Sequence, residues 1–258
     1  MIKGFLISRL PFIFALLFRH IRMTRLLYFS CLMCMLLSCS KGYRIKGTSN
    51  LTGLDGKTVS LMTAVDSQWE LIDSCELLHG VFRMKGRIDS TMIATLFLDG
   101  QAVMPLILEP GKIDVVISDF MLNVSGAPLN DSLYAFIAEK YKLDLRAVEL
   151  ERIEPQMIMN GHAPEEIEAY VDSMYTRLGN DMRNLVLGFI KKNYDNVLSL
   201  CGFSMLCNGL PRPMITPLMQ EVIDDAPRNF LSHPSISGFL RKAHEATEGY
   251  GVADAAAE

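Results

Sequence analysis

The chain has 258 residues, half of them hydrophobic, and a formal net charge of −4. That length allows one large or two small domains with core enough to fold without disulfide staples, and that charge leaves no overall electrostatic footprint for nucleic acid. The apolar excess is concentrated near the N-terminus and does not describe a protein with many membrane spans.

Residues 1–22 hold an apolar run, Phe12 to Phe18, flanked by Arg9 and by Arg19, His20 and Arg22. It is too short to span a bilayer comfortably. Met23-Thr24-Arg25, followed by the apolar run Leu26 to Leu37, reads as a complete signal start of its own, which predicts Met23 as the initiator. The run ends in Leu36-Leu37-Ser38-Cys39, which resembles a lipobox, the cleavage and lipidation signal of bacterial lipoproteins. A small residue before the cut and a cysteine after it turn a secretory signal into an anchor. The expectation is a signal region over 1–38, lipid on Cys39, and a lipidated tether over 39–43. The anchored protein is expected in the cell envelope, on the outer membrane. Ser40-Lys41-Gly42 carries no acidic run, which favours the periplasmic side.

Of six cysteines, Cys31, Cys34 and Cys39 fall in this region, so the CxxC spacing of Cys31 and Cys34 lacks the strand-to-helix setting of a redox motif. Cys75, Cys201 and Cys207 remain. On a helix, positions 201 and 207 point about 240° apart, so they cannot readily bond to each other and read as buried, hydrophobe-like thiols.

Residues 44–126 read as β. Short apolar or alternating runs at 57–61, 69–75, 81–86, 93–98, 103–108, 113–117 and 122–124 are separated by turn signals such as Leu54-Asp55-Gly56, His79-Gly80, Asp99-Gly100 and Pro110-Gly111. This predicts antiparallel strands in a sandwich or open barrel. Residues 127–246 read as an all-helical module, making the chain α+β. Asn130 or Asp131 is expected to cap the first helix, on which Leu133, Phe136, Ile137, Tyr141, Leu145 and Val148 recur at helical spacing. Pro155 and Asn160-Gly161 are expected to break it. Pro164 with Glu165 and Glu166 starts a second helix, whose stripe of Ile167, Val171, Met174, Leu178, Met182, Leu185 and Phe189 reads as core more readily than as a partner-binding face. Shorter helices are expected over 195–206, 214–223 and 235–244, and a flexible tail over 247–258.

No catalytic constellation emerges. His20, His79, His162, His233 and His244 form no HxxxH or HxH pair, no zinc spacing is present, and neither a phosphate loop nor a GxSxG elbow occurs. No metal, cofactor or nucleic-acid partner is expected.

Gly47, Leu54 to Leu61, Ile72-Asp73-Ser74, Gly80-Val81-Phe82, Gly86, Leu108-Glu109-Pro110-Gly111 and Val124 to Asp131, in that order, resemble a β-domain of unknown function. That domain stands at the N-terminus of exported thioredoxin-like lipoproteins of the alkyl hydroperoxide reductase/thiol-specific antioxidant type in Gram-negative anaerobes. The resemblance covers about Tyr43 to Phe136 and implies an envelope location and an accessory-domain architecture. In those relatives a thioredoxin domain with a catalytic CxxC follows the helices; here the chain reaches Glu258 without one, so the oxidoreductase activity does not carry over. The leading expectation is a non-enzymatic, lipid-anchored protein that binds a protein or glycan partner. The alternative is a redox accessory that exchanges thiols with a separate thioredoxin-like protein.

Overall fold

The computed structural model describes residues 42–51, 53–65, 68–119 and 122–254, with side chains as far as residue 246. Cys39 and the rest of the lipobox lie outside the described residues. Among the described residues eight strands come first: β1 (Gly42–Ser49), β2 (Thr58–Val65), β3 (Gln68–Glu76), β4 (Val81–Arg87), β5 (Met92–Leu98), β6 (Gln101–Leu108), β7 (Gly111–Ile117) and β8 (Leu122–Ser125). Six helices follow: α1 (Pro128–Met159), α2 (Pro164–Lys192), α3 (Val197–Asn208), α4 (Pro217–Asp224), α5 (Arg228–Leu231) and α6 (Pro234–Asp254). The α+β class expected from the sequence is what the chain adopts.

The strands form two four-stranded sheets, ordered β4-β1-β7-β8 and β3-β2-β5-β6, and the sheets do not close into a barrel. Period-two alternation sets the faces. In the first sheet Tyr43, Ile45, Phe82, Met84, Ile113, Val115, Ile117 and Val124 are buried in the shared core, while Arg44, Lys46, Arg83 and Lys85 face out. Val59, Leu61, Leu96, Leu106 and Leu108 supply the same core from the second sheet. All pairings are antiparallel except β1 with β7, which run parallel from Tyr43↔Gly111 to Ser49↔Ile117; the expectation of purely antiparallel sheets is corrected there. β1 also opens at Gly42, inside the stretch expected to be tether.

Two glycines are demanded by close approach rather than by turns. Gly47 lies opposite Phe82 on β4, and a Cβ there would meet the phenyl ring at 1.9 Å. Gly86 lies opposite Tyr43, where a Cβ would sit 2.7 Å from the ring. Each aromatic ring folds over the bare backbone of its cross-strand neighbour, and any side chain at either glycine would expel it.

The core does not stop at the end of the sandwich. Leu133, Phe136, Phe189, Ile190, Leu198, Phe203 and Phe230 of the helices belong to the same continuous cluster as the sheet residues. Phe136 stacks on Phe189 with ring centroids 4.0 Å apart, tying α1 to α2. Residues 41–258 form one compact unit, so position 126/127 marks a change of secondary structure within a shared core.

Three helix expectations are corrected. Pro155 does not break α1, which runs on to Met159 and stops at Asn160-Gly161, where Gly161 takes φ 77°. A proline costs one backbone hydrogen bond; packing of Leu143 and Leu150 along the helix holds it continuous up to that point. A short helix, α5, forms where none was expected. The backbone of α6 stays helical to Asp254, past the expected start of the tail at 247.

Candidate functional site

α1 and α2 form a long helical hairpin, about 48 Å and about 44 Å along their axes at 1.5 Å per residue. Burial is densest at its base, where α1 contributes Leu133, Tyr134 and Phe136 and α2 contributes Val186, Leu187, Phe189 and Ile190; farther out only Leu143 and Leu150 of α1 and Ile167 of α2 are buried. Beyond the base the two helices pack mainly on each other, with Arg146 Nη1 pairing to Asp181 Oδ2 at 3.4 Å across them.

Near the tip lies a groove of about 590 Å³ between the end of α1 and the start of α2. Its apolar walls are Ile158, Pro164, Ile167, Val171 and Tyr175; Glu154, Glu168 and Asp172 stand on its rim beside His162. His162 Nδ1 lies 3.2 Å from Glu166 Oε2, which holds the imidazole at the groove mouth. A smaller cavity of about 280 Å³ follows along the hairpin, lined by Leu150, Ile153, Met174 and Leu178. Ile158 is 60% exposed and Met159 85%.

The stripe expected on α1 divides in two. Leu133 and Phe136 are buried, whereas Tyr141, Leu145 and Val148 are exposed. At 100° per residue the contact seam passes through Phe136, Leu143 and Leu150, and Tyr141, Leu145 and Val148 fall roughly 140° to 200° away from it. The α2 stripe is core at its ends, Ile167 and Phe189; Val171, Met174, Leu178, Met182 and Leu185 between them are only partly buried.

The other end of α1 is built very differently. Glu109, buried at the start of the β6–β7 turn, accepts hydrogen bonds at Oε1 from the backbone N–H of Leu129 (2.9 Å) and of Asn130 (3.0 Å) and from Asn130 Nδ2 (3.0 Å). An anion is thereby placed against the positive end of the helix dipole. Asn130, fully buried, also accepts from the N–H of Ile107 at 2.9 Å and donates to its carbonyl at 2.7 Å. Tyr134 Oη donates to the carbonyl of Pro105 at 2.8 Å. β6 is an edge strand, and these two side chains bond its outward-facing backbone as a neighbouring strand would. The sequence offers Asn130 or Asp131 as the helix cap. Instead Ala127 is the N-cap and has no side-chain cap bond, Glu109 caps from another element, and Asp131 Oδ1 accepts from the N–H of Gly126 at 2.9 Å.

The thiols are dispersed: Cys75 on β3, Cys201 and Cys207 on α3, all free. Burial pushes the Cys201 and Cys207 thiols up to about 11, and burial raises Cys75 as well. A raised thiol pKa keeps the reactive thiolate scarce at neutral pH. His79 sits in a turn at φ 53°, 3.8 Å from Asp55. Among the described residues no cluster of three His, Cys, Asp or Glu side chains is placed to hold a metal, and no helix is long and apolar enough to cross a membrane.

Residues 43–133 match the family described as "Domain of unknown function (DUF4369)". The match runs from the second residue of β1 through β8 and ends in the second turn of α1, just past the Glu109–Asn130 contact, so the matched region holds both sides of the joint. No curated protein matches the chain.

Proposed function

We propose that this is a lipid-anchored cell-envelope protein, attached to the outer membrane through Cys39 and facing the periplasm, which acts without catalysis as a binding or accessory module. The observation that carries the binding reading is the groove at the hairpin tip, with apolar walls, a carboxylate rim and exposed apolar residues beside it. Large exposed apolar side chains clustered around a concavity mark a contact surface. Acids around an apolar floor suit a polypeptide segment that presents basic and apolar side chains together. The lipobox sequence supports the anchored location, and the redox alternative gains nothing from thiols whose pKa values are raised and whose positions are separate.

Two measurements test this reading. Radiolabelled palmitate should enter the wild-type protein and not Cys39→Ala, which should leave the membrane fraction; absence of label in the wild type would overturn the anchor. A photo-crosslinker at position 175 should capture a defined envelope protein, and Glu168→Lys with Asp172→Lys should abolish that adduct. Robust insulin reduction by the purified protein would instead establish the redox reading.

A further inference from the structure

The outer face of the first sheet is strongly cationic. Strand alternation and register bring Arg44 and Lys46 of β1, Arg83, Lys85 and Arg87 of β4, and Lys112 of β7 onto one surface. All six are exposed. Asp114, opposite Lys46, is the one carboxylate that the strands place among them. The register sets like charges directly across from each other: Arg44↔Lys85 and Lys46↔Arg83 between β1 and β4, and Arg44↔Lys112 between β1 and β7. Such pairs destabilise a sheet. None of the six forms an ion pair among the described residues, whereas some cations elsewhere, Lys57, Arg183 and Lys191 among them, are matched with acids. This concentration stands on a chain whose net charge is −4.

The patch also has a position in the chain. Gly42 opens β1, and Arg87 lies opposite it. Arg44, Lys85, Arg87 and Lys112 therefore gather at the end of the sheet where the chain enters. Arg44 stands five positions after Cys39, a reach of at most about 17 Å when extended. We propose that this face docks on an anionic phospholipid surface, laying the first sheet against the membrane in which Cys39 is held. The placement rests on the anchored reading above; the charge complementarity does not. Clustered Lys and Arg close to a bilayer contribute additively to binding, and the attraction falls off within a Debye length.

The test uses the unlipidated fragment 40–258, which contains the whole compact unit, with its folding checked by circular dichroism. In co-sedimentation it should bind vesicles of equal phosphatidylcholine and phosphatidylglycerol and not phosphatidylcholine alone. Binding should collapse as sodium chloride rises from about 0.05 M to about 0.5 M. Lys46→Glu with Arg83→Glu should weaken it by about thirtyfold or more, whereas the equally charged control Lys192→Glu with Lys242→Glu should retain it. Equal binding to neutral vesicles, no binding to anionic ones, indifference to the Lys46 and Arg83 reversals, or preference for a short DNA duplex over the vesicles would each overturn the proposal. Palmitate labelling reports on the anchor independently, so failure of one reading is not read as failure of the other.

Discussion

The two ends of α1 lie on one helix and have opposite physics. Its first two turns are locked: Asn130 and Leu133 are fully buried, Glu109 reaches in from the sheet, and no buried side-chain polar atom there lacks a partner. Its last turns carry Ile158 and Met159 into solvent beside an open groove. Buried polar groups of the first kind fix the geometry of a joint, because leaving one unpaired is costly. Exposed apolar groups of the second kind add little to folding and leave a surface open to contact. The joint sets the direction of the helix, and the tip is what the helix holds out.

Breaking the joint should cost most. Asn130→Ala removes both bonds to the β6 edge and one to a buried carboxylate, and should lower stability by about 3 kcal/mol in urea denaturation. A loss below about 1 kcal/mol would mean that water replaces the amide.

Alkali should act on the same region next. Burial holds the Cys201 thiol at about 11 against an ordinary 9.0, and burial raises Tyr134 as well, with Cys201 beside it. The folded state favours the protonated forms, so their contribution is complete below pH 9 and is lost as pH rises. Between pH 9 and about pH 11 the unfolded thiol gives up its proton and the folded one does not, which should cost about 2 kcal/mol from Cys201 alone. Cys201→Ala should flatten that part of the stability profile.

A smaller effect of opposite sign is expected on the outer sheet face. Lys85→Glu places a carboxylate opposite Arg44 on the edge strand β4 and relieves a like-charge pair, so it should raise stability by about 0.5 kcal/mol, as expected where a charged surface is maintained for something other than folding. Least of all should happen at the exposed stripe: Leu145→Gln should change stability by less than about 0.5 kcal/mol. A large loss there would show that the exposed side of α1 is structural after all.

Strands β2 to β8 were legible because local alternation and turn residues specify them, whereas β1 was read only as the opening of the β region; His79-Gly80 and Asp99-Gly100 take the positive φ angles that their turns require. The pairing of β1 with β7 was not, since nothing in residues 42–49 names a partner some 70 positions away. Glu109 was hidden for the same reason: it reads as part of a turn, and its role as a helix cap exists only once the sheet has formed. The division of the α1 stripe turned on helical phase, which a run of apolar residues at three- and four-residue spacing leaves open by about one face. Of the site, the apolar groove wall at Ile167 and Val171 was visible as part of a stripe, and its concavity was not. The cations of β1 and β4 alternate plainly in sequence, but only the register across three strands gathers them into one surface.

The place of β1 within its sheet has a mechanical consequence. The chain enters the described fold through an interior strand, hydrogen-bonded to β4 on one side and β7 on the other. A pull transmitted through residue 41 cannot peel an edge one bond at a time; it must shear both ladders together. A tether attached there would lead into an interior strand of the first sheet and not into one of its edges.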